Sequence, residues 1–267
     1  YDIENNVLVD TIIDRFNTDE RTLAIRHMEK LKEYGLMNDL ILFDRGYPSK
    51  DLIAYMYETN INFVMRVSNR FIKEVNKVSG NDEIIEFKNK DKIYKIRVIK
   101  VKLDTGEIET LISSIFDKSF TPEDFKELYF KRWGIEVKYN EIKSKLQIEN
   151  YTGETPIAIE QDFYASMYLI NMVSFTKMAS DEEISNKNHE KVLKYEYKTN
   201  TNILIGKLKN NLILMLLEDN ACKRNEMFDK IMNELIRNVI PIRPNRQNPR
   251  RKKLTRDKYP MNRKSSL

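Results

Sequence analysis

The sequence is poor in the residues that most often carry thiolate or imidazole chemistry: one cysteine, Cys222, and two histidines, His27 and His189, among 267 residues. A single thiol excludes a disulfide framework and fits a reducing interior. The same scarcity rules out a usual structural zinc site, and a serine or cysteine hydrolase would lack a convincing base. His27 sits in an amphipathic run and reads as structural. Long apolar runs are missing as well. No stretch of about 18 apolar residues and no signal-peptide pattern occurs, which argues against membrane spanning and export. The most apolar late stretch, Ile203 to Leu217, is interrupted by Lys207 and Lys209 and reads as an amphipathic core helix.

Charge, by contrast, is plentiful and unevenly placed. From Arg243 to Lys264 ten cations stand against one acid, Asp257, so this segment carries +9 in a chain whose total is +5 and the remainder is net acidic. Pro241, Pro244, Pro249 and Pro260 disfavour a helix there. An extended basic arm suits nucleic-acid phosphates without reading base sequence, and the plainer alternative is a solubilising tail.

Tyr129, Arg132, Glu136 and Lys143 stand at the spacing Y-x2-R-x3-E-x6-K within Thr121 to Leu146, a run that reads as one uninterrupted helix. At about 100° per residue the four share an arc of roughly 60°. Leu128, Ile135, Tyr139, Ile142 and Leu146 form a separate apolar stripe for a core. Thr121-Pro122-Glu123-Asp124 supplies the N-cap, a first-turn proline and two first-turn acids. Earlier, Leu40-Ile41-Leu42-Phe43 reads as a buried strand ending at Asp44, followed by Arg45-Gly46-Tyr47-Pro48. Catalytic carboxylates of α/β folds collect at such strand ends, where the strand is rigid and the loop opens a crevice.

Taken together, these segments resemble the DDE transposases of bacterial insertion sequences, in the group whose last catalytic acid lies in a tyrosine, arginine, glutamate, lysine motif. The likeness runs through Tyr1 to Asn5, Asp19 to Arg21, Asp44 to Tyr47, Phe63 to Arg66 and Leu128 to Leu146. It implies a mixed α/β fold: a ribonuclease-H-like catalytic core with an inserted β-meander and a helical carboxyl-terminal region. It also implies that Asp44 is the second catalytic aspartate and Glu136 the catalytic glutamate, both holding Mg2+ or Mn2+. Tyr129, Arg132, Lys143 and Arg66 would contact transposon-end DNA, although Arg66 reads equally well as a surface residue of a strand. The family's first catalytic aspartate lies on a strand upstream of the segment matched by Tyr1 to Asn5. The chain begins at Tyr1, so a fragment is expected, and Asp2, Asp10 and Asp14 are poor substitutes.

The residue types suit the implied chemistry. In-line displacement at phosphorus needs the attacking and leaving oxygens held by hard cations, which prefer carboxylate oxygen. The expected organisation is a partial core over 1–67, a β-rich insertion over 68–118, the glutamate helix over 119–150, a helical region over 151–240 and a basic tail over 241–267. Two strands are expected within Tyr1 to Phe16, and helices over Asp19 to Tyr34, Pro48 to Glu58, Pro156 to Met178, Asn200 to Glu218 and Lys223 to Asn238. Strands are expected over Ile61 to Val67, Glu83 to Lys88, Lys92 to Leu103 and Glu107 to Phe116. Three functions stay open: a transposase that cuts and joins DNA at insertion-sequence ends, an inert DNA-binding remnant, and a ribonuclease-H-like nuclease. DNA is the expected partner, with a homodimer in the DNA complex and a cytoplasmic, nucleoid-associated setting.

Overall fold

A computed structural model of the chain describes residues 1–35, 39–68, 70–189 and 191–243. The basic segment expected beyond residue 243 lies outside them. The chain divides into two compact units, one comprising Tyr1 and Val9–Glu136, the other Asp2–Leu8 and Val137 onward.

In the first unit, α1 (Glu20–Glu33) starts at Asp19, and β1 (Leu40–Phe43) follows. Next come α2 (Lys50–Glu58), β2 (Asn62–Val67) and the short α3 (Lys73–Asn76). The strands β3 (Asp82–Asn89), β4 (Lys92–Lys102) and β5 (Ile108–Ser113) form the expected meander. They do not make a sheet of their own. β5 pairs antiparallel with β2, and β1 pairs parallel with β2, giving one five-stranded sheet in the order β1-β2-β5-β4-β3. Period-two alternation then sends side chains to two faces. Phe43, Phe63, Met65, Ile96, Val98 and Ile112 pack with Met28 of α1 and Leu52, Ile53 and Met56 of α2. Val64, Ile99, Val101 and Leu111 meet Phe125 and Tyr129 on the other face.

The helix expected from Thr121 to Leu146 is interrupted. It is two helices, α4 (Pro122–Phe130) and α5 (Trp133–Lys145). The predicted start is present in full: Thr121 and Asp124 form a reciprocal capping box with Pro122 in the first turn. At the junction the backbone tightens, with Arg132 N–H donating to Tyr129 O (3.1 Å), Gly134 to Lys131 (2.9 Å) and Ile135 to Arg132 (3.1 Å). These three-residue spacings replace four-residue ones and shift the helical phase, so a single wheel cannot be drawn across the motif. Gly134, a weak helix former, lies just past the junction. One consequence is that Tyr139, expected in the apolar stripe, is 56% exposed, while Lys138 takes an inward position with Ile142.

The two strands expected within Tyr1 to Phe16 reduce to one bridge, Asp2 with Val7. A ladder that short has little stability alone, and other partners use its neighbours' polar groups. Asn171 accepts from Leu8 N–H at 2.8 Å and donates to Leu8 O at 2.9 Å, and Asp14 pairs with Arg26 at 2.6 Å.

The second unit contains α6 (Pro156–Asn188), β6 (Tyr197–Thr199), α7 (Thr201–Leu217), α8 (Ala221–Arg237) and β7 (Val239–Pro241). α6 continues ten residues past the expected end at Met178. The pairs Lys177–Asp181 and Lys187–Glu183 link successive turns there, and Ser180 and Ile184 face inward. Its core joins Ile142, Leu146, Met167, Ile170, Val173, Leu204, Leu208, Ile231 and Leu235, with Leu8 against it.

Candidate active site

Asp44 follows the last residue of β1, where parallel pairing with β2 ends. Its Oδ1 accepts from Gly46 N–H at 2.8 Å. Space at Gly46 is tight: a Cβ there would stand 3.2 Å from that same oxygen, which would have to give by a few tenths of an ångström. Arg21 of α1 holds the turn from outside by donating to the carbonyls of Tyr47 (3.2 Å) and Gly46 (3.4 Å). The carboxylate is thus set by a strand, a glycine and an arginine.

Glu136 reaches the same place from α5. Asp44, Arg45, Gly46, Arg66, Arg132, Trp133 and Glu136 line one open cleft of about 450 Å³, all within the first unit. Arg132 Nη2 donates to Glu136 Oε1 at 3.1 Å. The Arg132 guanidinium also lies over the Tyr129 ring (5.4 Å) and the Trp133 ring (5.5 Å). Its Nε is buried with no hydrogen-bond partner, an arrangement that costs about 1–3 kcal/mol. Arg66 is joined to Glu109 of β5 at 2.8 Å, which fixes the arginine along the sheet. Three cations and two acids therefore face the cleft.

Tyr129, expected on an arc separate from the apolar stripe, is buried with the core. It is 5% exposed, and its hydroxyl donates to Phe43 O at 3.2 Å. Burial pushes its pKa up to about 12, with Arg132 and Arg66 opposing, so the phenol remains a donor at neutral pH. The physical reason is that Tyr129 stands four residues after the buried Phe125 on α4 and shares its face toward the sheet. Tyr129 ties the strand end carrying Asp44 to the turn carrying Arg132. Lys143 belongs to the second unit, where it pairs with Glu149 at 2.9 Å. Asp10 and Asp14 are engaged by His27 (2.7 Å) and Arg26, and Asp2 accepts from Asn5 N–H at 3.1 Å. None of these three acids lines the cleft.

Sequence reasoning missed two lining residues, Arg45 and Trp133. Both adjoin motif residues, and that adjacency was the available signal. It also missed Arg97, which is fully buried. Arg97 grips both Asp82 oxygens (2.7 and 2.8 Å) and the carbonyls of Asp117 (2.6 Å) and Phe120 (2.7 Å), and so holds the loop that leads into α4.

A model of the transposase DDE domain family matches residues 1–172, a span that includes every residue of this cleft. The chain belongs to the DDE transposase family. The mixed five-stranded sheet with its helices agrees with the ribonuclease-H-like architecture of such domains. No curated protein matches the chain. The family uses divalent metal ions. In donor type Asp44 and Glu136 fit such an ion, since both offer carboxylate oxygen to one open cleft. Among the described residues, no three His, Cys, Asp or Glu side chains stand close enough together to hold a metal ion.

Proposed function

We propose that this transposase domain acts on DNA strands at insertion-sequence ends through the cleft between Asp44 and Glu136. What carries the reading is that two carboxylates from distant sequence positions open onto one cleft together with three arginines. Asp44 and Glu136 would hold Mg2+ or Mn2+, which supplies activation of an attacking hydroxyl and neutralisation of developing charge on phosphate. Arg66 and Arg132 are positioned to take phosphate oxygens, with Trp133 beside them on the wall. The Arg132 guanidinium is only partly satisfied by Glu136, and a phosphate would give it charge-assisted bonds. Tyr129 acts from beneath, keeping Phe43 and the α4–α5 junction in register. Lys143 and the basic segment beyond residue 243 would contribute phosphate contacts that weaken with salt. A homodimer on DNA belongs to the same reading.

The test is nicking of an end-labelled duplex carrying the element's own termini, in magnesium or manganese, by the 267-residue chain and by the chain extended upstream. Glu136→Gln should abolish metal-dependent nicking and leave DNA binding nearly intact, because it removes a ligand oxygen and keeps shape. Nicking that survives Glu136→Gln would overturn the assignment. The three arginines that line the cleft, Arg45, Arg66 and Arg132, serve a second reading as well: salt-sensitive DNA binding without cleavage. Cleavage only after extension would separate the two.

A further inference from the structure

Arg132 immediately precedes α5 and Glu136 stands in its first turn, so the two side chains rise one helical turn apart on the same side. Arg132 Nη2 takes Glu136 Oε1 at 3.1 Å, and the partners are unequally placed: the arginine side chain is 11% exposed, the glutamate side chain 42%. The guanidinium lies over the Tyr129 and Trp133 rings, and its buried Nε has no hydrogen-bond partner among the described residues. A cation so far removed from water depends on the carboxylate beside it. The other arginines of the cleft differ. Arg66 has an acid of its own in Glu109 at 2.8 Å, and Arg45 lines the wall from the loop after β1.

Glu136 Oε1 therefore serves two cations in turn. A divalent ion accepted there would stand close to a like charge in a partly desolvated site, which weakens the carboxylate as a ligand. A phosphate removes that conflict, because it offers the guanidinium charge-assisted bonds of its own.

We propose that Arg132 is a self-inhibitory contact on the cation site: it engages Glu136 Oε1 until a phosphate draws the guanidinium away, so that cation binding and DNA binding strengthen each other. This rests on the reading of Asp44 and Glu136 as cation ligands, and adds that a residue of the same cleft holds their affinity down.

Trp133, the single tryptophan, lines the cleft, so its selective excitation sensitises the luminescence of terbium(III) bound at the two carboxylates, and Mn2+ displacing that probe gives the Mn2+ affinity. Glu136→Gln should abolish the sensitised signal; a signal that survives would overturn the ligand assignment itself. With that assignment standing, Arg132→Gln and Arg132→Met should each bind Mn2+ about fivefold or more tightly than the unaltered chain. Arg132→Met keeps apolar contact with both rings, and far-UV circular dichroism checks that each variant is folded. Arg132→Lys, which keeps the charge, should gain least. Saturating duplex DNA should narrow the gap between the unaltered chain and Arg132→Gln. Folded neutral variants that bind Mn2+ no more tightly would overturn the proposal. So would an equal gain in Arg45→Gln, which would assign the effect to the general charge of the cleft, or a gap that duplex DNA leaves unchanged.

Discussion

Arg97 in the sheet unit and Lys138 in the helical unit are both cations sealed from solvent, at 0% and 1% exposure, and they are held in opposite ways. Arg97 places all five N–H donors: two on Asp82, one on Asp117 O, one on Phe120 O and one, at 3.5 Å, on Ile115 O. Its guanidinium also lies 5.0 Å from the Phe125 ring. Lys138 donates to Ser174 Oγ at 2.7 Å and approaches Glu141 only to 4.0 Å. Glu141 is shared with Lys145 at 3.1 Å. The guanidinium fork staples three backbone carbonyls and a carboxylate to one point, whereas a buried ammonium with one hydroxyl leaves its charge poorly compensated. One cation is a keystone and the other a burden on its unit.

The largest effect should come from removing the keystone. Arg97→Met takes a donor from each of three carbonyls and strips Asp82 of its main partner, so the sheet unit should lose about 3–5 kcal/mol. Urea unfolding followed by the fluorescence of Trp133, the single tryptophan, reads that unit. Tyr129→Phe should cost about 1–3 kcal/mol by the same readout, because the Phe43 carbonyl loses a buried donor. Thr121→Ala should cost about 1 kcal/mol by loss of the α4 cap. It removes the helix start one residue beyond the Phe120 carbonyl that Arg97 holds, and so separates the cap's contribution from the staple's.

The comparison sharpens most in its smallest member, where the sign reverses. Lys138→Met keeps length and removes charge, and Ser174 still donates to Ile170 O. The helical unit should be unchanged or gain about 1 kcal/mol, read by hydrogen exchange of α6. Desolvation lowers the Lys138 pKa from 10.5, with Lys177 and Lys145 adding to the fall and Glu141 opposing it. The unfolded chain therefore holds the proton to higher pH than the folded one. Stability of the helical unit should rise with pH from the lowered pKa up toward 10.5, and this slope should vanish in Lys138→Met. A destabilised Lys138→Met would place the lysine with Arg97 as a structural necessity.

The α4 start was legible because a capping box is a local device: Thr121, Pro122 and Asp124 complete it within four positions. The strand ending at Asp44 was legible for a similar reason, an apolar run stopped by an acid and a glycine. The pairing of Asp44 with Arg132 and Glu136 around one cleft was expected through family resemblance, and the residues lie together. Tyr129 was grouped with charged residues that follow the junction, whereas on α4 it shares the inward face of Phe125, and the tightened hydrogen bonds shift the phase only of the residues after it. Arg97 and Lys138 were invisible because each sits among residues whose alternation or periodicity reads as charged surface. The first sixteen residues had a strand pattern but no ladder partner beyond one bridge.

The sequence by itself determined where helices and strands begin, which acids stand at element ends, and to which family the chain is similar, since these depend on neighbours a few residues apart. Tertiary structure decided which polar groups are buried, where the glutamate helix breaks, and that the meander extends the core sheet through β5 and β2. Those outcomes depend on donors and acceptors supplied from tens of residues away, such as the Phe43 carbonyl that draws Tyr129 inward and the Asp117 and Phe120 carbonyls that make a buried Arg97 favourable.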